Sequence, residues 1–170
     1  MTVILVEGER HFMLNRIIAM FQGTAAPTLA QTHTNRVALA TCVVLLEAAR
    51  IDDEFTASER RHILEVLQAR FALPEDEAEE LLRDAQQARD QSNDLWRFTN
   101  RINTEFPVPE KIAILEEVWR ILYSDGVLRG HEDHLVHKLQ QLLNLNHPQL
   151  IAAKMKVLGE IRTNKERGNG

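Results

Sequence analysis

The sequence has few of the residue types and patterns that several classes of protein require. Its 170 residues include a single cysteine, Cys42, which excludes an intramolecular disulfide framework and a cysteine-based zinc site and fits a reducing compartment. The longest apolar stretch, residues 37–46, is about half of what a bilayer crossing needs, and the N-terminus lacks a secretory signal pattern. No long basic run is present. We therefore expect a cytoplasmic protein with no transmembrane segment.

The charge balance narrows the classes of partner. Lys and Arg number 20 against 25 Asp and Glu, so the formal net charge is −5. Nucleic acids and anionic membranes are bound through clustered Lys and Arg, which this chain lacks. The bulk charge predicts no nucleic-acid binding and favours cations over acidic partners.

Helical periodicity dominates the chain from residue 34 onward, and no alternating run indicates a strand. Thr56 and Glu59 have the spacing of a capping box, which predicts a helix start. Pro74, followed by three acids, predicts another start, and Pro109 opens a further helix after the chain is interrupted at Pro107. The last helix is predicted to begin between residues 146 and 148. The sequence predicts an all-α bundle of about seven to eight helices.

Three parts of the chain differ in composition. Residues 1–32 carry a short amphipathic segment and then a small-residue linker, which predicts a loose or docked helix. Residues 33–160 are predicted to form the helical domain. Residues 161–170 are polar and are predicted to be a flexible tail.

An internal repeat emerges when the chain is compared with itself at an offset of 73 residues. Asp52 then aligns with Asp125, and Glu59 aligns with Glu132. One residue away from this register, Leu73 aligns with Leu145. The repeats cover about 34–90 and 107–158, and each is predicted to have an acidic turn between its first two helices. Two such halves form a pseudo-symmetric bundle in which the equivalent turns can lie close together.

The acidic turns resemble the paired signatures of TerB-like proteins. Residues 49–55 with Glu59, and residues 123–128 with Glu132, each have an acid, then Gly or Asp, a spacer, an apolar residue, and Glu seven residues after the acid. Residues 95–103 are similar to a segment in a bacterial branch of that family. The resemblance covers about residues 34–158. It implies an all-helical cytoplasmic protein linked to tellurite resistance and stress response, whose acidic clusters bind divalent metal, and it brings no catalytic mechanism.

Four acids are the candidate metal ligands: Asp52, Glu59, Asp125 and Glu132. Hard cations such as Ca²⁺ need several oxygen ligands, and two carboxylates from each of two facing turns supply four. The alternative is that the aspartates stabilise turns while Glu59 serves the capping box. This alternative explains the first repeat only. In the second repeat, Arg129 aligns with Thr56, and an arginine side chain cannot form the capping box.

The histidines offer a second candidate metal site. His131, His134 and His137 lie three residues apart, a spacing at which neighbouring side chains on a helix can share a transition metal. A zinc-protease HExxH motif is excluded, because its second histidine falls on Leu135. We favour a solvated helix face with a surface pair between Asp133 and His137. No phosphate-binding loop or nucleophile arrangement is present.

The leading hypothesis is therefore a non-catalytic helical module. It binds a divalent cation between its repeats, with Ca²⁺ as the candidate, and interacts with one or more protein partners. One alternative is a metal-dependent enzyme that uses the same acids together with His62 or His131. The other is a metal-free, co-chaperone-type scaffold.

Overall fold

A computed structural model of the protein describes residues 29–51, 55–124 and 130–168, apart from the side chains of residues 29–33 and 131. These residues form seven helices and, within the described ranges, no strand, which confirms the all-α prediction. The helices are α1 (Leu29–Ala49), α2 (Ala57–Phe71), α3 (Glu75–Asp90), α4 (Trp96–Glu105), α5 (Val108–Leu122), α6 (Gly130–Leu142) and α7 (His147–Gly168).

The two repeats have the same internal arrangement. Helices α1 to α3 form the first and α5 to α7 the second, with α4 between them packing on α1. In each repeat the first helix packs against the third, and the two run parallel. An ion pair joins their C-terminal parts in both cases, from Glu47 to Arg89 and from Arg120 to Glu160.

The second helices of the repeats also end alike. Helix α2 is followed by Ala72 with a φ of 53°, and α6 is followed closely by Asn144 with a φ of 54°. Both angles lie in the left-handed region, and no other described non-glycine residue has a positive φ. Each is followed by one of the aligned leucines, Leu73 or Leu145, so the backbone reproduces the register that the sequence alignment predicts.

Helix α1 lies at the centre of the core and packs against α2, α3, α4 and α5. Its apolar residues from Cys42 to Leu46 are fully buried. Burial raises the pKa of the Cys42 thiol, which agrees with its interpretation as a small core residue. The second repeat contributes Trp119 from α5 and Val157 from α7 to the same core.

The helix starts follow local capping chemistry. The Thr56 side chain accepts a hydrogen bond from the Glu59 N–H at 3.2 Å, and Glu59 Oε2 accepts one from the Thr56 N–H at 2.8 Å, which confirms the predicted capping box. Asn146 and Gln149 form a second reciprocal pair before α7, with bonds of 2.8 and 2.9 Å, which was not predicted from the sequence. Helix α5 begins at Val108, one residue before the predicted start.

The ends of the domain differ in detail from the predicted boundaries. Helix α1 begins at Leu29, inside the stretch predicted as a linker, and the predicted amphipathic segment lies outside the described residues. Helix α7 continues to Gly168, and every side chain from residue 161 to residue 168 is exposed. None of the described helices has the length and apolar character needed to span a membrane.

Candidate functional site

A surface depression lies where α1, α3 and α6 meet, beside the first acidic turn. Its volume is about 400 Å³, and its walls are formed by Glu47, Arg50, Ile51, Arg89, Asp90, Asn93 and Leu135. Ile51 is the last described residue before the turn. Leu135 lies one helical turn after Glu132 in α6. One residue next to the first acidic turn and one residue of α6 therefore line the same depression.

Two ion pairs join α1 to the end of α3 in this depression. Arg89 donates from Nε and Nη2 to the two carboxylate oxygens of Glu47, and from Nη1 to the Ser92 carbonyl at 2.7 Å. The hydrogen bond to Glu47 raises the pKa of Arg89 despite partial burial. Arg50 donates to Asp90 at 2.6 Å in a more exposed pair. Both carboxylates of the depression are therefore paired with guanidinium groups.

Glu59, the candidate ligand of the first repeat, is a helix-capping residue. Its Oε2 accepts hydrogen bonds from both the N–H and the hydroxyl of Thr56, at 2.8 and 2.9 Å. Its Oε1 has no hydrogen-bond donor among the described residues. The capping interpretation of Glu59 is therefore confirmed. The cap uses one of the two carboxylate oxygens of Glu59.

Glu132, its counterpart in the second repeat, is in a different environment. It lies in the first turn of α6 and is only 2% exposed. A buried carboxylate is stable only when hydrogen-bond donors, a positive charge or a metal ion compensate for its lost hydration. The two aligned glutamates thus differ in burial.

The remaining two candidate ligands, Asp52 and Asp125, lie outside the described residues. So does Arg129, on which the comparison with Thr56 depends. Within residues 29–51, 55–124 and 130–168, no three His, Cys, Asp or Glu side chains converge on a position for a metal ion.

Two histidines of α6, His134 and His137, lie on its outer side. His134 is exposed. His137 Nδ1 is 2.8 Å from the Asp133 carbonyl and 3.5 Å from its Oδ2, so the predicted surface pair is confirmed. The His137 ring also stacks on His147, with centroids 5.9 Å apart. The side chain of His131 is outside the described part of the chain.

A polar network between the repeats was not predicted. His62 Nε2 in α2 is 2.9 Å from Glu117 Oε2 in α5, and the other oxygen of Glu117 accepts from Arg120 at 2.8 Å. Arg120 then pairs with Glu160 in α7. Burial acts to raise the pKa of Glu117, but the hydrogen bond from His62 and the charge of Arg120 outweigh it, so the pKa lies below its ordinary value. His62 therefore pairs with Glu117 across the two repeats.

Together these features define a class: an all-helical bundle of two pseudo-symmetric repeats, with an acidic turn between the first two helices of each. The model of the tellurite resistance protein TerB family matches residues 38–155. The chain belongs to this family, which confirms the resemblance seen in the sequence. Comparison with curated proteins found no match, and comparison with solved structures found none either.

Proposed function

We propose that this TerB-family protein is a non-catalytic module that binds one divalent cation between its two acidic turns and interacts with a protein partner. Asp52, Glu59, Asp125 and Glu132 supply the carboxylate ligands. Ca²⁺ is the favoured ion, because all four ligands are hard oxygen donors.

One observation carries the proposal: Ile51 and Leu135 line the same depression. Asp52 follows Ile51 directly, and Glu132 precedes Leu135 by three residues, a rise of about 4.5 Å along the helix. This shared lining supports a site that takes ligands from both repeats. Two turns at opposite ends could not share an ion.

The helix ends around the depression favour a positive charge. Helices α1 and α3 both finish there, at Ala49 and Asp90. The last carbonyl groups of a helix lack intrahelical donors and carry the negative end of the helix dipole. These carbonyls and the buried Glu132 carboxylate suit a cation that needs six to eight oxygen ligands.

Thermal unfolding with chelator and then with added Ca²⁺, Mg²⁺, Mn²⁺ or Zn²⁺ tests the proposal. An ion that binds only the native state raises the midpoint, by an amount equivalent to about 2.7 kcal/mol at one hundred times its Kd. We expect Asp125→Asn with Glu132→Gln to abolish this rise. Asp133→Asn, an exposed neighbour on the same helical turn, is the matched control and should keep it.

Two results would overturn the proposal. One is a midpoint that no ion shifts. The other is a shift that survives in the Asp125→Asn, Glu132→Gln variant. Since Glu59 already caps α2, the first result would favour the metal-free scaffold, in which Glu59→Gln destabilises the protein only through the cap.

A further inference from the structure

Helix α7 has an outer face that combines exposed apolar side chains with cations. At about 100° per residue, seven residues fall on one side of this helix. They are Ile151, Lys154, Met155, Leu158, Ile161, Arg162 and Lys165. Ile151, Met155 and Ile161 are 41%, 61% and 39% exposed, and they are three of the five large hydrophobic residues exposed in the described part of the chain. We call this set the α7 outer face.

The adjoining side of α7 holds the helix on the bundle. Leu150, Ala153 and Val157 are buried against the core. Ion pairs from Lys156 to Glu116 and from Glu160 to Arg120 join the helix to α5. The part of the outer face up to Leu158 is therefore presented by a fixed helix, so that binding there needs little ordering of the backbone.

The charge of α7 is opposite to that of the whole chain. Its five Lys and Arg residues and two Glu residues give it a net charge of +3, whereas the chain carries −5. Lys154 lies over the Trp119 ring, with Nζ 5.1 Å from the ring centroid. Arg162 and Lys165 have no carboxylate partner within the described ranges. The net charge of the whole chain disfavours acidic partners, but the charge of this surface has the opposite sign.

We propose that the α7 outer face binds an acidic amphipathic helix of a protein partner. Apolar residues of the partner, spaced at i, i+3 or i+4, and i+7, contact Ile151, Met155 and Ile161, while flanking carboxylates pair with Arg162 and Lys165. The flexible Met155 side chain adapts to the shape of its contacts. The inference rests on the protein-interaction part of the proposed function and does not require the cation.

Charge complementarity favours this occupant over three others. Residues 1–28 contain two Glu and two Arg, so this segment has no net charge to complement the cations. The acidic start of α3 on a second copy has no exposed large hydrophobic residue, because Leu82 is buried and Leu81 packs against the core. An anionic membrane would attract α7 but repel the acidic remainder of the chain.

The test measures binding of the full-length protein to a fluorescent 18-residue peptide, a helix with leucines at the spacing above and glutamates beside them. We expect binding that weakens with salt and is lost for a scrambled peptide of the same composition. Met155→Glu, and Arg162→Glu combined with Lys165→Glu, should each weaken binding by about tenfold or more. Arg83→Glu, which reverses an exposed cation on α3, should leave it unchanged.

Several results would overturn the inference. One is equal affinity for the scrambled peptide, and another is unchanged binding by the outer-face variants. Binding to anionic vesicles without binding to the peptide would assign the face to a membrane. A dimer in sedimentation that Met155→Glu abolishes would assign it to a second copy. Peptide binding that appears only after Phe12→Ser with Ile17→Ser would assign it to the N-terminal segment. If Met155→Glu keeps the cation-induced shift of the thermal midpoint, then failure of the peptide-binding inference does not affect the proposed cation site.

Discussion

Ala72 and Asn144 have the same left-handed backbone conformation, with φ of 53° and 54°, where the second helix of each repeat ends. The two positions are 72 residues apart, and an aligned leucine follows each of them. The conformation lets the chain reverse and begin the third helix. Asparagine adopts it at modest cost, whereas alanine is strained there because its Cβ crowds the following carbonyl.

Relief of this strain should stabilise the first repeat. We expect Ala72→Gly to raise the free energy of unfolding by about 1 kcal/mol, because glycine has no Cβ to crowd the backbone. Chemical denaturation measures the change. Ala69→Gly, at an exposed position inside α2, is the control and should lower stability by about 1 kcal/mol. The same loss in both variants would contradict the assigned conformation.

The parallel ion pairs of the two repeats have opposite polarity. Glu47 aligns with Arg120, and each forms the inter-helix pair of its repeat, with Arg89 and Glu160 respectively. We expect Glu47→Gln to lower the free energy of unfolding by about 1–2 kcal/mol, since it leaves the partly buried Arg89 with a weaker acceptor.

A charge swap tests the equivalence of these positions. Because the second repeat accommodates the reversed pair, Glu47→Arg combined with Arg89→Glu should recover part of the stability that Glu47→Arg alone loses. A double-mutant cycle in urea gives the coupling between the two sites. A double variant less stable than both single variants would mean that the repeats do not share this packing.

Glu117 should give the protein part of its acid sensitivity. Its carboxyl has a pKa below the ordinary 4.5 in the folded protein, so the carboxylate stabilises the fold fully above that value and loses its contribution as the pH falls through the folded pKa. The difference in unfolding free energy between the wild type and Glu117→Gln should therefore be largest near neutrality and shrink in acid. Urea unfolding across the pH range measures it. Glu65→Gln, exposed on α2, should show a difference that is small at every pH, and an equal acid dependence in both variants would refute the role of Glu117.

Local patterns predicted much of the fold. Thr56 and Glu59 mark the start of α2 because a capping box needs only four consecutive residues, and the alignment of Leu73 with Leu145 gives the repeat register. The environment of each aligned acid could not be predicted in this way. Glu59 and Glu132 have the same sequence spacing, yet Glu59 is a half-buried cap and Glu132 is almost fully buried, because burial depends on neighbours from other helices.

Contacts between segments that are distant in the chain could not be predicted from the sequence, for the same reason. His62 and Glu117 lie 55 residues apart, and nothing in their flanking residues indicates that they meet. The i,i+3 spacing of Glu117 and Arg120 was the only local signal of that network. The net charge of −5 likewise gave no indication that α7 carries a net positive charge. That charge is recognised only when the residues are placed on the helix.

Equilibrium dialysis with Ca²⁺ counts bound ions and so shows whether the two acidic turns share one cation. We expect one ion per chain, with binding lost in Asp52→Asn and equally in Asp125→Asn, while Asp133→Asn retains it. Two ions per chain, each lost only with the aspartate of its own turn, would contradict the shared site, as would no bound ion.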